Sequence, residues 1–498
     1  MADSIIENPT YMEHVRHFFD DEDLEHMFDR NTDLTTYPAL KDAASLVFQH
    51  TRPPNAHMPP EPERKWSQER FQSFRNWMDN DFPLGAPQPQ PVQPGNAARI
   101  RKDARDLSAD EIETLRRAFR GIMDLPPDDE NSYFHLAGQH WYPVPTECLH
   151  HEDRFFPWHR VFMRKFEDAL RTIQGCADVT LPYWDISAAP PAFLFTAPFD
   201  SYTLPRDVHR NPMNPNRDYP AGYSASRNSA ADIMTGVSFY QIPQKIQNAT
   251  AEFQWQNFTN GIETGGHDNG HVACGHSMVV PDVAAFDPIF WFFHSNWDRL
   301  WWEWQQIMQA TTQWTFRSTI TTGFTEFLAQ PPINELKPFS ETAEQVIDLS
   351  ATGVGYTRPS TAAMAEPDAA SIGSAVFGSV AASRKIRVRP GPLVSVRLKG
   401  VNRLVIPGTF HAVLKADGEP IARQAFFQST QPMSCSACRE KAIIDLDFQV
   451  EADAVIGRDL TADIEVLTAD ADRIGRRFPL RSCGDPTLNI RLLLQENA

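Results

Sequence analysis

Two aromatic-dense stretches constrain this chain most: FFPWHRVFMRKF (155–166) and DPIFWFFHSNWDRLWWEW (287–304). The second carries a charge every few residues and falls short of the roughly 20 apolar residues a membrane span needs, so it is read as a buried or half-buried helix. Each stretch places one histidine, His159 or His294, among bulky apolar neighbours. A leucine would sit there at lower cost, because burying an imidazole means desolvating it. Such histidines call for a chemical reason.

Other histidines gather around these two. GGHDNGH sets His267 and His271 four residues apart, on one face of a helix, where both could hold one metal ion. FHLAGQHWYPVPTECLHHEDRFFPWHR supplies His135, His140, His150, His151 and His159. Two sets, each able to give three imidazoles and lying more than 100 residues apart, fit two metal ions brought together by the fold. No HExxH is present and Asp268 follows His267 directly, which weakens a zinc peptidase reading. All-nitrogen ligands suit copper or zinc better than calcium or magnesium. Aromatic walls favour a redox or oxygen-binding centre over a hydrolytic one.

The remaining sequence bounds the answer. With 498 residues the chain is long enough for two or three domains. A formal charge of −18 argues against nucleic-acid partners, and no stretch is suited to a membrane. Six cysteines are too few for a disulfide scaffold, and MADSIIENPTYMEHV has no basic region followed by an apolar run. A cytoplasmic setting with reduced thiols is expected, and a homo-oligomer is left open.

The fold class expected is α+β: a mainly helical catalytic domain around a four-helix bundle, then a β-sandwich-like C-terminal domain. Residues 1–96 form a helical extension (8–30 and 62–80) with a proline-rich arm at 83–96. The catalytic domain spans 97–345; Ser108 and Glu111 form a capping box before Ile112, Leu115 and Phe119, and a loop interrupts it at 204–229. A linker covers 346–384, its small-residue stretch at 360–382. Residues 385–498 hold short β-branched runs such as KIRVRPG, LVSVRLKGV and LNIRLLLQ.

The histidine segments resemble the two copper-binding signatures of the tyrosinase, catechol oxidase and mollusc-type haemocyanin family, the type 3 copper proteins. The resemblance covers residues 97–310 and includes LPYWDI at 181–186. It is similar to a bacterial tyrosinase with an added β-rich domain. It implies two copper ions with O2 as co-substrate, held by His140, His150 and His159 and by His267, His271 and His294. His135 is the alternate to His140, while His151 is expected beside the metal or in solvent. Phe293 stands where many members carry a second histidine. Cys148, two residues before His150, is implied to form a thioether with its ring; Asp298 and Glu167 could support the ligands or simply form salt bridges. Glu263 and Asp268 are the residues implied to help deprotonate a phenol, the alternative for Glu263 being an ordinary surface position. Small phenols and catechols are the expected substrates, hydroxylated and oxidised to o-quinones. The alternatives are a catechol or o-aminophenol oxidase without monophenolase activity, or a haemocyanin-like oxygen carrier. The entrance is expected in loops such as 274–286.

In MSCSACRE, Cys435 and Cys438 form a CxxC, which by itself is a redox pair, half a zinc site or an accident. The resemblance to fungal members implies copper loading, and a β domain that caps the pocket. Cys176, Cys274 and Cys483 are read as structural thiols.

Overall fold

The computed structural model describes residues 4–88, 90, 98–141, 147–208, 219–321, 326–328, 330–357, 393–467 and 477–492. The chain divides into two compact units, Met1–Thr357 and Arg358–Ala498.

In the first unit, the expected helix at 8–30 is split. A short 3-10 turn (Val15–Phe18) is followed by α1 (Asp21–Phe28), because the Asp20 carboxylate accepts from Asp23 N at 2.9 Å and starts a new helix. Next comes α2 (Tyr37–His50), an additional helix that Thr36 caps and that has Pro38 in its first turn. Ser67 caps α3 (Gln68–Asp79), so this helix starts later than residue 62. Leu40, Ala44 and Val47 of α2 pack with Phe71, Phe74 and Trp77 of α3 in a core of their own that also takes in Tyr11 and Trp66.

β1 (Arg99–Arg101) leads to α4 (Ala109–Met123), whose capping box forms as expected: Glu111 N donates to Ser108 Oγ at 3.2 Å and Ser108 N to Glu111 Oε2 at 2.8 Å. There follow α5 (Tyr133–Gly138), α6 (Phe155–Thr172), α7 (Ala230–Phe239), α8 (Ile242–Thr250) and α9 (Trp255–Asn260). A π-helical turn, Gly261–His267, joins α9 to α10 (Asp268–Cys274). The unit continues through α11 (Pro281–Ala284), α12 (Ile289–Ile307) and α13 (Gln313–Arg317). The two aromatic stretches are α6 and α12, and they pack on each other; Phe166 stacks on Trp291 with centroids 3.5 Å apart. Trp184 N donates to Phe292 O at 2.9 Å, which locks the LPYWDI segment against α12. No helix of the described residues is long and apolar enough to cross a membrane.

The segment expected as a linker begins inside this unit. Val346, Leu349, Val354 and Tyr356 are buried, and β2 (Val354–Tyr356) pairs in parallel with β1. Their apolar side chains have a helical surface to cover, which small residues would not. The stretch 360–382 and KIRVRPG (385–391) lie outside the described residues.

The second unit is a two-sheet sandwich. Its first sheet runs β6 (Ile443–Glu451), β3 (Leu393–Asn402), β9 (Thr487–Leu492), antiparallel throughout. The other runs β5 (Glu419–Phe426), β4 (Phe410–Ala416), β7 (Leu460–Val466), β8 (Arg477–Phe478). Alternate residues meet in one core: Val394, Val396 and Leu398 from β3 and Leu446, Phe448 and Val450 from β6 pack with Phe410, Ala412 and Leu414 from β4 and Ile464 from β7. The period of two places them there.

Candidate metal centre

Five helical elements and one connecting segment deliver the histidines. His140 follows α5, His159 lies in the first turns of α6, His267 ends the π-helical turn, His271 is on α10 and His294 is on α12. His150 comes from the segment before α6. The structure brings them together in two buried groups, His140, Cys148, His150 and His159 in one and His267, His271 and His294 in the other. In each group the candidate ligand atoms all lie within 4.8 Å of one another. His159 and His294 stack across the two groups with centroids 4.6 Å apart. His135 is exposed, touches Gln139 and joins neither group, so His140 is the residue gathered into the site.

Their hydrogen bonds decide which nitrogen faces inward. Nδ1 of His159 donates to Phe155 O at 2.8 Å, that of His271 to Met278 O at 2.7 Å and that of His140 to Pro281 O at 3.1 Å. A carbonyl only accepts, so each Nδ1 carries the proton and each Nε2 offers a lone pair. Asp268 Oδ1 fixes His267 in the same way at 2.9 Å. Nε2 of His271 then faces Nε2 of His267 at 3.1 Å and Nε2 of His294 at 3.3 Å. Lone pairs that close repel unless a cation lies between them. Protons are a poor candidate: burial, reinforced in most of the site by the neighbouring imidazoles, holds His140, His150, His267, His271 and His294 well below the ordinary histidine value, and His159 at about 3. The donor set fits two metal ions of imidazole preference, with the orienting partners that metal-bound histidines usually have. His294 differs, since its Nδ1 has no hydrogen-bond partner among the described residues; Phe290, stacked at 4.0 Å, and His159 pack against its ring.

Glycine and aromatic packing set the distance between the helices. A Cβ at Gly270 would lie 2.7 Å from the Phe293 ring and 2.9 Å from Ile186, so only glycine lets α10 approach α12 this closely. Phe293 lies edge-on to the His271 ring, with centroids 4.8 Å apart.

The two carboxylates singled out from sequence are both inside. Glu263 is 2% exposed and Asp268 fully buried, so Glu263 is no surface residue. Glu263 Oε1 accepts from His151 N at 2.5 Å, and Asp268 Oδ2 lies 3.6 Å from His151 Nε2. His151, in a left-handed backbone conformation with φ of 60°, therefore sits between them. Cys148 Sγ is 3.4 Å from Nδ1 and 3.9 Å from Nε2 of His150, and 3.6 Å from His159 Nε2. Burial, together with Glu263 and Glu152, raises its pKa and keeps it a neutral thiol.

Beneath the histidines lies a buried ionic network. Arg160, next to His159, donates from Nε to Asp298 Oδ1 at 2.6 Å, and Asp298 is one turn beyond His294. Asp298 Oδ2 also accepts from Tyr356 Oη at 2.6 Å and Arg101 Nη1 at 3.3 Å; Arg101 Nε donates to Glu167 Oε2 at 2.8 Å. Asp298 and Glu167 thus support the helices through salt bridges, not by reaching a metal ligand. Arg160 stood in the PWHR run as a signal; Arg101 and Tyr356 had none, since the β1–β2 pairing that brings them together joins segments far apart in the chain. The orienting carbonyls of Met278 and Pro281 leave no mark in a sequence at all.

Cys176, Cys274 and Cys483 are buried free thiols, as expected. Cys435 and Cys438 lie in the second unit and are paired with each other as a disulfide.

Residues 130–307 match the family described as the common central domain of tyrosinase. A tyrosinase of Neurospora crassa is 25% identical over 369 residues, covering 54% of this chain and 53% of that protein. The chain thus spans about half the length of that curated relative. Hemocyanin 2 of Megathura crenulata is 29% identical over 224 residues, 43% of this chain and 6% of its own. Among solved structures, a tyrosinase from Burkholderia thailandensis superposes with a TM-score of 0.56 at 18% identity, covering 80% of this chain and all of that one, which speaks to the fold.

Proposed function

From the premise that this chain is a member of the type 3 copper family of tyrosinases, catechol oxidases and haemocyanins, we propose that it is a polyphenol oxidase that hydroxylates monophenols and oxidises o-diphenols to o-quinones. The observation that carries the reading is the convergence of six buried imidazoles, held neutral by burial, in two groups. His140, His150 and His159 would hold one copper ion and His267, His271 and His294 the other. Bound there, the pair would bind O2 and supply the two-electron redox chemistry.

The chain's own residues do the rest. Phe155, Phe290 and Phe293 pack against the imidazoles and exclude water from them. Glu263 is the base for a phenolic proton: it is buried, and its helical turn leads directly into His267. His151 N anchors one of its oxygens. Cys148 joins the ring carbon of His150 by a thioether, losing the thiol hydrogen and one ring hydrogen, with O2 taking the two electrons. That bond stops ring rotation and preorganises the first group.

A second reading has its own support. Glu263 is already engaged by His151 N at 2.5 Å, as a purely structural carboxylate would be. A catechol oxidase without hydroxylation needs no such base. Copper analysis and oxygen uptake separate the cases. Two coppers per chain, with uptake on both catechol and a tyrosine-like phenol, is the expected result. Uptake on catechol alone gives the diphenol oxidase. Stoichiometric zinc in the active protein would sink both.

A further inference from the structure

A second reactive group lies in the β unit, apart from the histidines. Cys435, just before α14 (Ser436–Glu440), is paired with Cys438, and each is 2% exposed. The buried guanidinium of Arg403 donates from Nη2 to Cys438 Sγ at 3.1 Å. That cation is well fixed. Its Nε donates to Gln428 Oε1 at 3.1 Å, and Gln428 Nε2 donates back to Arg403 O at 3.2 Å and to Ile406 O at 2.8 Å. The guanidinium carbon lies 4.7 Å from the Phe426 ring centre.

The contact discriminates between two states of the pair. A disulfide sulfur is neutral and accepts hydrogen bonds weakly, whereas a thiolate is an anion and accepts strongly from an arginine. Arg403 therefore stabilises the reduced pair more than the oxidised one, and it does so at Cys438, not Cys435. The same fixed positive charge opposes a metal cation at these sulfurs.

We infer that Cys435 and Cys438 form a thiol–disulfide exchange site, with Cys438 as the attacking sulfur, Cys435 as the resolving one, and low-molecular-weight thiols and disulfides as reactants. In the oxidising direction the Cys438 thiolate attacks one sulfur of RSSR, forms a mixed disulfide and expels RS⁻. Cys435 then releases its proton to solvent and attacks Cys438 Sγ, expelling the second RS⁻ and closing the bond. Two electrons pass from the dithiol to RSSR, and two RSH reverse the reaction. Both sulfurs are buried, so exchange proceeds through local opening around the five-residue α14, beside the exposed Met433. None of this depends on the copper reading.

The full-length chain is equilibrated with glutathione and its disulfide, quenched, alkylated and read by mass spectrometry at the peptide carrying both cysteines. Arg403→Met should make the disulfide at least tenfold harder to reduce, about 30 mV in potential, while Arg403→Lys keeps most of the wild-type value. An unchanged equilibrium in a folded Arg403→Met chain overturns the inference. Should that variant not fold, two variants with Arg403 intact decide. Glutathione disulfide should form the mixed disulfide at Cys438 in Cys435→Ser at least tenfold faster than at Cys435 in Cys438→Ser; equal rates, or the reverse order, overturn it. Tight Cu(I) uptake by the reduced wild type that both serine variants lose would also overturn it and make the pair a metal site.

Discussion

Replacing Asp298 tests whether the ionic network, and not packing alone, holds α6 against α12. Asp298 accepts from Arg160 at 2.6 Å, Tyr356 at 2.6 Å and Arg101 at 3.3 Å, and both arginines are buried. Asp298→Ala leaves two guanidiniums without that acceptor. Breaking a buried pair from one side costs about 3–5 kcal/mol, because the surviving charge stays desolvated. The first unit has 357 residues. At about 2.1 cal/mol/K per residue its unfolding entropy is roughly 0.75 kcal/mol/K, so its transition should fall by about 4–7 °C. Calorimetry of the metal-free full-length chain, with near-ultraviolet circular dichroism to identify this unit's transition, measures it. Arg160→Met in the same chain removes one stranded charge and should recover a substantial part of the loss. A drop below about 1.5 °C, or a double variant no better than the single one, would refute the account. His159 precedes Arg160 and His294 lies one turn before Asp298, so the single variant should also bind copper less tightly in both groups.

Four further outcomes follow from the same geometry. Gly270→Ala drives a Cβ to 2.7 Å from Phe293; overpacking of this kind costs about 1–3 kcal/mol, and copper should be lost first from the group of His267, His271 and His294, as read by metal analysis. Glu263→Gln should abolish monophenol hydroxylation while catechol oxidation stays within a few-fold; equal loss of both would remove its role as base. In metal-free chain, His159 has a folded pKa of about 3 against an ordinary 6.5. Above pH 6.5 neither state binds the extra proton; below it only the unfolded state does, so stability falls as pH drops towards 3. His159→Phe should flatten that slope by about 1.4 kcal/mol per pH unit, and parallel denaturation curves would contradict it. After copper loading, the peptide linking Cys148 to His150 should be two hydrogens lighter; a Cys148 fully alkylated in active, denatured protein would exclude the thioether.

The sequence was most legible where one short segment carried its own physics. Ser108 and Glu111 announce a helix start, the aromatic density of α6 and α12 announces burial, and the four-residue spacing of His267 and His271 puts two imidazoles on one face. The period of two in LVSVRLKGV was enough to foresee a sandwich strand. Each of these signals is local, so the order of residues suffices to show it. Tertiary structure alone decided the rest. It chose His140 over His135 by burying one ring and leaving the other exposed. It set His151 between Glu263 and Asp268, brought Arg101 and Tyr356 to Asp298 from strands 255 residues apart, and fixed each imidazole tautomer through carbonyls such as Met278 O and Pro281 O. It also placed Arg403 against Cys438 across 35 residues. A backbone carbonyl has no residue type, and a contact between distant segments has no spacing. Both become visible only when the chain closes on itself and the cost of burying each polar group must be met by a partner the sequence does not name.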